Sequence, residues 1–177
     1  LALCYAPVID RNRAVRATRL TVFPSRPDAA LDAGLLLDAA SEVWPDGGGD
    51  VWLNVVSESL LGDLLRASTA ANLSFEVPSF MAGDPAQRDA LLALHARGST
   101  LLLKGRPVEE LPRDLLPCFS HTIVDLSEDR RVGEAPGASP RAAARTVPYA
   151  QSGIRTMVQM EASFKRGAAA VIGWPID

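Results

Sequence analysis

The sequence predicts an α/β protein built on a mostly parallel sheet, and three observations lead there. Eight short apolar runs recur along the 177 residues, each of strand length. Between most of them lie segments whose leucines return at three- and four-residue intervals, the period of a helix face. The middle runs are continuously apolar rather than alternating, as a strand covered on both faces requires. Eight strands with intervening helices suit a parallel sheet closed into a barrel; an open doubly wound sheet is the alternative.

Residues 2–9 form the first strand. The polar turn Asp10-Arg11-Asn12-Arg13 returns the chain into residues 14–23, which makes an antiparallel hairpin. Residues 28–43 carry Leu31, Leu35, Leu36, Ala39 and Val43 at helical spacing, with Asp28 placed to cap them and Pro45 to stop them. Gly47-Gly48-Gly49 connects to a strand over 51–55. Ser57 caps a helix over 58–66, whose Leu60, Leu61, Leu64 and Leu65 share one face. A strand over 73–77, a helix over 84–97 ended by Gly98, and a strand over 100–103 follow.

Residues 109–116 read as a broken helix and 122–126 as a strand. The Gly- and Pro-containing stretch 130–139 reads as a long loop, with a helical turn over 140–144. Residues 146–151 make a weaker strand, because Pro148 cannot donate to a ladder. A helix over 157–166 ends at Gly167, and 169–172 is the last strand.

Hydrophobic residues make up 47% and charged residues 22%, the balance of a folding globular chain rather than a disordered one. A single domain over residues 1–177 is expected. Net charge is −3 and the arginines are scattered, Arg11, Arg13, Arg16 and Arg19 and the pair Arg130-Arg131 being the densest groups. No basic face for nucleic acid emerges. No apolar run nears the ~20 residues that cross a bilayer, and no basic segment precedes a hydrophobic signal core. The expected compartment is the cytoplasm. Cys4 and Cys118 have no metal-ligand spacing, so both are expected reduced and buried. The chain opens on Leu1, as a fragment of a longer protein would.

In a parallel barrel, chemistry sits where the strands end. Glu76 and Asp125 fall at such ends, but the run between them closes in Lys104-Gly105, where a metal-dependent hydrolase needs acids. His95 and His121 have no partner at ligand spacing and read as structural. Ser57 lacks a nucleophile elbow, and Gly47 to Gly49 lack the Lys-Ser/Thr of a phosphate loop. Trp44, Trp52 and Trp174 read first as packing residues, with Trp174 at the rim also placed to stack on a ligand.

Taken in order, the strand ends resemble the EAL domain family, the bacterial cyclic di-GMP phosphodiesterases, and most of all the shortened EAL-like half of proteins that also carry an HDOD domain. Pro7-Val8-Ile9-Asp10 is similar to the family's opening segment. The Glu-Ala-Leu signature falls on Thr18-Arg19-Leu20, and the arginine that follows it on Val22. Leu53-Asn54-Val55 matches the strand with a metal-binding asparagine, and Phe75-Glu76-Val77-Pro78-Ser79 keeps the first acid of Leu-Glu-Ile-Thr-Glu. The Asp-Asp pair falls on Lys104-Gly105. Ile123-Val124-Asp125 keeps the aspartate of Lys-Ile-Asp, and Ser152-Gly153-Ile154-Arg155-Thr156 replaces both acids of Glu-Gly-Val-Glu-Thr. Ile172-Gly173-Trp174-Pro175 matches the closing Gln-Gly-Tyr and its proline. The chain is short between Asp125 and Ser152, as in the HDOD-linked branch.

The resemblance implies a shortened TIM-like (β/α)8 barrel, with Asn54, Glu76 and Asp125 as remnants of a two-metal site. It implies neither catalysis nor a bound metal or cofactor. The expectation for Lys104 is that its ammonium replaces the metal charge between Glu76 and Asp125, or else reaches solvent at the mouth. Three functions follow. The first is an inactive signalling module working through protein contacts, with an HDOD domain after Asp177 as the expected partner. The second is a non-catalytic cyclic di-GMP receptor, opposed by Val22, Ile123 and Ile172 at positions that would hold the ligand. The third is an enzyme of altered chemistry using Glu76 or Asp125 as base beside Lys104. The family dimer is not carried over, because the loop that shapes it is missing.

Overall fold

A computed structural model describes residues 2–24, 32–43, 49–67, 73–107, 110–128 and 147–177. Among these, eight strands close into a barrel in sequence order. They are β1 (Ala2–Asp10), β2 (Val15–Phe23), β3 (Asp50–Val55), β4 (Leu73–Pro78), β5 (Thr100–Lys104), β6 (Phe119–Asp125), β7 (Tyr149–Thr156) and β8 (Ala170–Ile176). Strands β2 to β8 run parallel to their neighbours, whereas β1 is antiparallel to both β2 and β8. The closed barrel with its opening hairpin is the expected architecture, and the open sheet is ruled out.

The helices are α1 (Ala33–Val43), α2 (Glu58–Ala67), α3 (Ser79–Ala82), α4 (Pro85–Ala96) and α5 (Met157–Lys165). Their starts have local causes. The Ser57 hydroxyl accepts from Leu60 N at 3.4 Å, Asp84 from Ala86 N at 2.9 Å, and Thr156 from Gln159 N at 3.2 Å. Asp32 accepts from Leu35 N at 3.1 Å, so α1 starts later than residue 28; Asp28, Trp44 and Gly47-Gly48 lie outside the described residues, as do 130–139 and 140–144. Gly98 and Gly167, at φ +91° and +100°, end α4 and α5.

Two packing layers follow from strand alternation. Outward-facing Leu53, Phe75, Val77, Leu101 and Leu103 join Leu60, Leu61, Leu64, Leu65, Leu91 and Leu94 of the helices in the main core. A second cluster contains strand residues only, among them Val8, Ala17, Trp52, Leu102, Ile123, Ala150 and Ile172. This is the inside of the barrel.

Several expectations are corrected. Residues 110–116 contain no α-helix; with Pro112 and Pro117 in the segment, the chain makes turns and a 3-10 turn at Leu116–Cys118. Strand β6 starts at Phe119, and Leu126 already belongs to a helical turn. Strand β7 begins after Pro148, whose carbonyl accepts from Thr122 N at 2.8 Å, and continues to Thr156. Strand β8 runs on through Gly173 to Ile176. Cys118 is buried as expected, but Cys4 is exposed, on the outer half of β1. Trp52 is core and stands 5.2 Å from the His121 ring, whereas Trp174 is 52% exposed.

Candidate functional site

The site is built by one step of strand alternation above the barrel core. Ala17, Trp52, Leu102, Ile123 and Ala150 fill the interior, and the residue two further along each strand faces the same way. Those residues are Arg19, Asn54, Lys104, Asp125 and Ser152. On β4, Phe75 and Val77 point outward to the main core, which turns Glu76 inward between them. Six strands therefore deliver six polar side chains to the carboxyl end of the barrel, where parallel barrels place their chemistry.

The centre of the cluster is an ion pair. Arg19 donates from Nε to Glu76 Oε1 at 2.6 Å and from Nη2 to Oε2 at 2.7 Å, a two-pronged contact. The Glu76 side chain is 0% exposed and that of Arg19 17%. Lys104 donates to Asn54 Oδ1 at 2.8 Å, and the Asn54 amide donates to Thr21 Oγ1 at 3.3 Å. Burial lowers the Lys104 pKa and outweighs the upward pull of the Glu76 charge; Arg19 lowers it a little further and Glu128 raises it slightly.

Asp125 is held from another side. Its Oδ1 accepts from Ser127 N at 2.9 Å and Ser127 Oγ at 2.6 Å, and its Oδ2 from Ser152 Oγ at 3.1 Å. Burial raises its pKa, but these hydrogen bonds and the Arg19 charge outweigh it and leave the carboxyl below its ordinary value. Gly153, at φ +81°, runs so close that a Cβ there would lie 3.0 Å from Asp125 Oδ2.

The structure brings Asn54, Glu76, Lys104 and Asp125 to one barrel mouth and redistributes their partners. The direct counter-ion of Glu76 is Arg19, while Lys104 bonds to Asn54 and only adds to the field. Sequence reasoning missed the role of Arg19, although its position held the signal: it stands in the segment aligned with the family's signature acid, on an inward position of β2. Among the described residues, no three His, Cys, Asp or Glu side chains converge so as to hold a metal ion. His121 is partly buried against the Trp52 ring, its pKa lowered by burial, and takes no part in the cluster.

Beside the ion pair, between β1 and β8, lies a cavity of about 270 Å³ whose lining includes Arg19, Gly153, Arg155, Gly173 and Trp174. It exists because β1 and β8 separate above Val8: they pair at three positions only, ending at Val8 opposite Ile172. Trp174 Nε1 reaches back to Tyr5 O at 3.2 Å and its ring meets the Tyr5 ring edge-on at 5.5 Å.

The arrangement is that of an EAL-like (β/α)8 barrel with a polar, ion-paired mouth, and comparison with solved structures finds the same fold. The PaMucR phosphodiesterase in complex with c-di-GMP superimposes with a TM-score of 0.65 at 16% identity, over 97% of this chain and 88% of that one. The EAL domain of Mycobacterium smegmatis DcpA gives 0.64 at 18%, over 97% and 89%. The EAL enzyme Bd1971 in its cAMP- and cyclic-di-GMP-bound form gives 0.61 at 14%; the present chain spans 60% of its length. No protein-family profile matches the sequence, and no curated protein matches it. No helix among the described residues is long and apolar enough to cross a membrane.

Proposed function

We propose that this chain is a catalytically inactive EAL-like signalling module of a bacterial, cytoplasmic protein, acting through protein–protein contacts, with an HDOD domain of the same full-length chain as the partner. The observation that carries the reading is the Arg19–Glu76 pair. A two-metal phosphodiesterase needs several free carboxylates converging on one point, and neither an ammonium nor a guanidinium has a lone pair to offer a divalent ion as a ligand. Here both oxygens of Glu76 are taken by Arg19, Asn54 accepts from Lys104, and Asp125 is spent on Ser127 and Ser152. The residues present do not fit the family's metals. Asn54, Glu76 and Asp125 are read as remnants of the ligand positions, with cationic side chains in the place of metal charge.

The receptor reading takes its support from Arg19 and Arg155 at the cavity. Against it, the three apolar replacements at family ligand positions are buried: Val22 packs in the main core, and Ile123 and Ile172 inside the barrel. None presents a polar group to a ligand. Calorimetric titration with cyclic di-GMP, with and without magnesium, separates the readings. The inactive module gives no saturable heat in either buffer; saturation at micromolar ligand establishes the receptor instead.

A further inference from the structure

The seam between β1 and β8 leaves part of the barrel wall open. Strand β1 pairs with β2 from Ala2 to Ile9 but with β8 only from Val8 to Asp10, so residues 2–7 keep a free edge. The Tyr5 carbonyl accepts from Trp174 Nε1 and therefore points to that edge. By strand alternation the N–H and C=O of Leu3 point the same way, and among the described residues no strand meets them.

Natural sheets protect such edges with charged side chains, proline or bulges. Ala2-Leu3-Cys4-Tyr5-Ala6 contains no charge and no proline, and the irregularity in β1 pairing lies farther on, between Val8 and Ile9. Residues 2–5 are all exposed. At the seam stand Leu3, Tyr5, Phe23, Trp174 and Ile176, half of the ten large apolar side chains exposed among the described residues. Apolar residues scattered singly over a surface need no explanation, whereas a gathering of this kind marks a contact surface.

We infer that residues 2–6 of β1 pair with the same residues of a second copy of this chain, antiparallel across a two-fold axis at Leu3, to form a symmetric dimer. Each Leu3 N–H then donates to the Leu3 C=O of the other copy. Each copy brings one such edge, so the pair closes instead of growing into a fibre. An uncharged strand meets an uncharged strand, the first ionised side chain along β1 being Asp10. The facing edge of β8 is a poorer match, because Pro175 has no N–H to donate. With ~150–250 Å² for a whole aromatic side chain, the five apolar side chains expose on the order of 500 Å² per copy, and covering both sets reaches the roughly 1,000 Å² a specific interface needs. This is not the dimer of the resembling family: the loop that shapes that one follows Lys104-Gly105 at the end of β5, which lies across the barrel from β1. The inference is independent of the inactive-module reading, since it makes no use of cyclic di-GMP.

The test is sedimentation velocity of the whole chain over a concentration series, with Leu3→Lys and, as a control on a distant exposed position of α5, Val158→Lys. Circular dichroism checks that each variant folds. The expected result is a monomer–dimer equilibrium in the micromolar range, weakened at least tenfold by a lysine on the edge and unchanged in Val158→Lys. In a Cys4→Ser background, Leu3→Cys should cross-link to a dimer under mild oxidation, because directly opposed residues of a hydrogen-bonded antiparallel pair lie about 5.5 Å apart, within disulfide reach. A monomer at every concentration, a dimer insensitive to Leu3→Lys, species larger than a dimer, or no cross-link through Leu3→Cys would each overturn the inference.

Discussion

Arg19 explains how a fully buried acid is tolerated at Glu76 in the barrel mouth. A fully buried carboxylate without a partner costs several kcal/mol, and a two-pronged guanidinium is the partner best shaped to hold it. Arg19→Met is expected to destabilise the protein by about 3–5 kcal/mol, because it leaves the Glu76 charge buried and unpaired. The double variant Arg19→Met/Glu76→Leu should recover most of that loss, since removing both charges removes the desolvation cost too. Urea denaturation of the three proteins measures the pattern; a double variant no more stable than the single one contradicts it. Lys104→Met is expected to cost less, about 1–3 kcal/mol, since it strands only the neutral Asn54 acceptor. Glu76, Asn54, Lys104 and Asp125 were legible as a group because strand ends are marked in the sequence by apolar runs. Which cation meets which acid was not, because pairing depends on side-chain reach across strands, which no spacing encodes.

At the scale of elements, the sequence was most readable where one local signal sufficed. Ser57, Gly98 and Gly167 announced helix ends that the structure keeps. It was least readable where tertiary contact overrode the local signal. Pro148 weakened the prediction of a strand around it, yet the strand simply starts after it, at Tyr149. The last strand was expected over 169–172, but β8 passes on through Gly173 and Pro175 because its neighbours hold it. Cys4 looked like a core residue in an apolar run; the separation of β1 from β8 leaves that half of β1 exposed. The same region gives a prediction. Gly173→Ala puts a methyl group into the Ile154 carbonyl at a backbone angle of φ +148°, so a loss of about 1–3 kcal/mol is expected, with thermal melting as the readout. An unchanged melting temperature would show that β7 and β8 do not approach so closely.

For the whole molecule, closing the barrel converts scattered residues into a site. Strands β2 to β7 lie apart in sequence, and each contributes an inward polar group to the carboxyl end of the barrel. That a barrel forms could be argued from eight runs and their spacing, and the fold shared with EAL-domain structures agrees with it. What the mouth does depends on its charges, and fold likeness leaves that open. With Arg19 bonded to Glu76 and Lys104 to Asn54, the chain is expected not to hydrolyse cyclic di-GMP. The most direct measurement is chromatography of cyclic di-GMP incubated with the purified chain in magnesium and in manganese. Ligand recovered intact in both is the expected result. Linear product that accumulates with time and disappears in Glu76→Gln would contradict it.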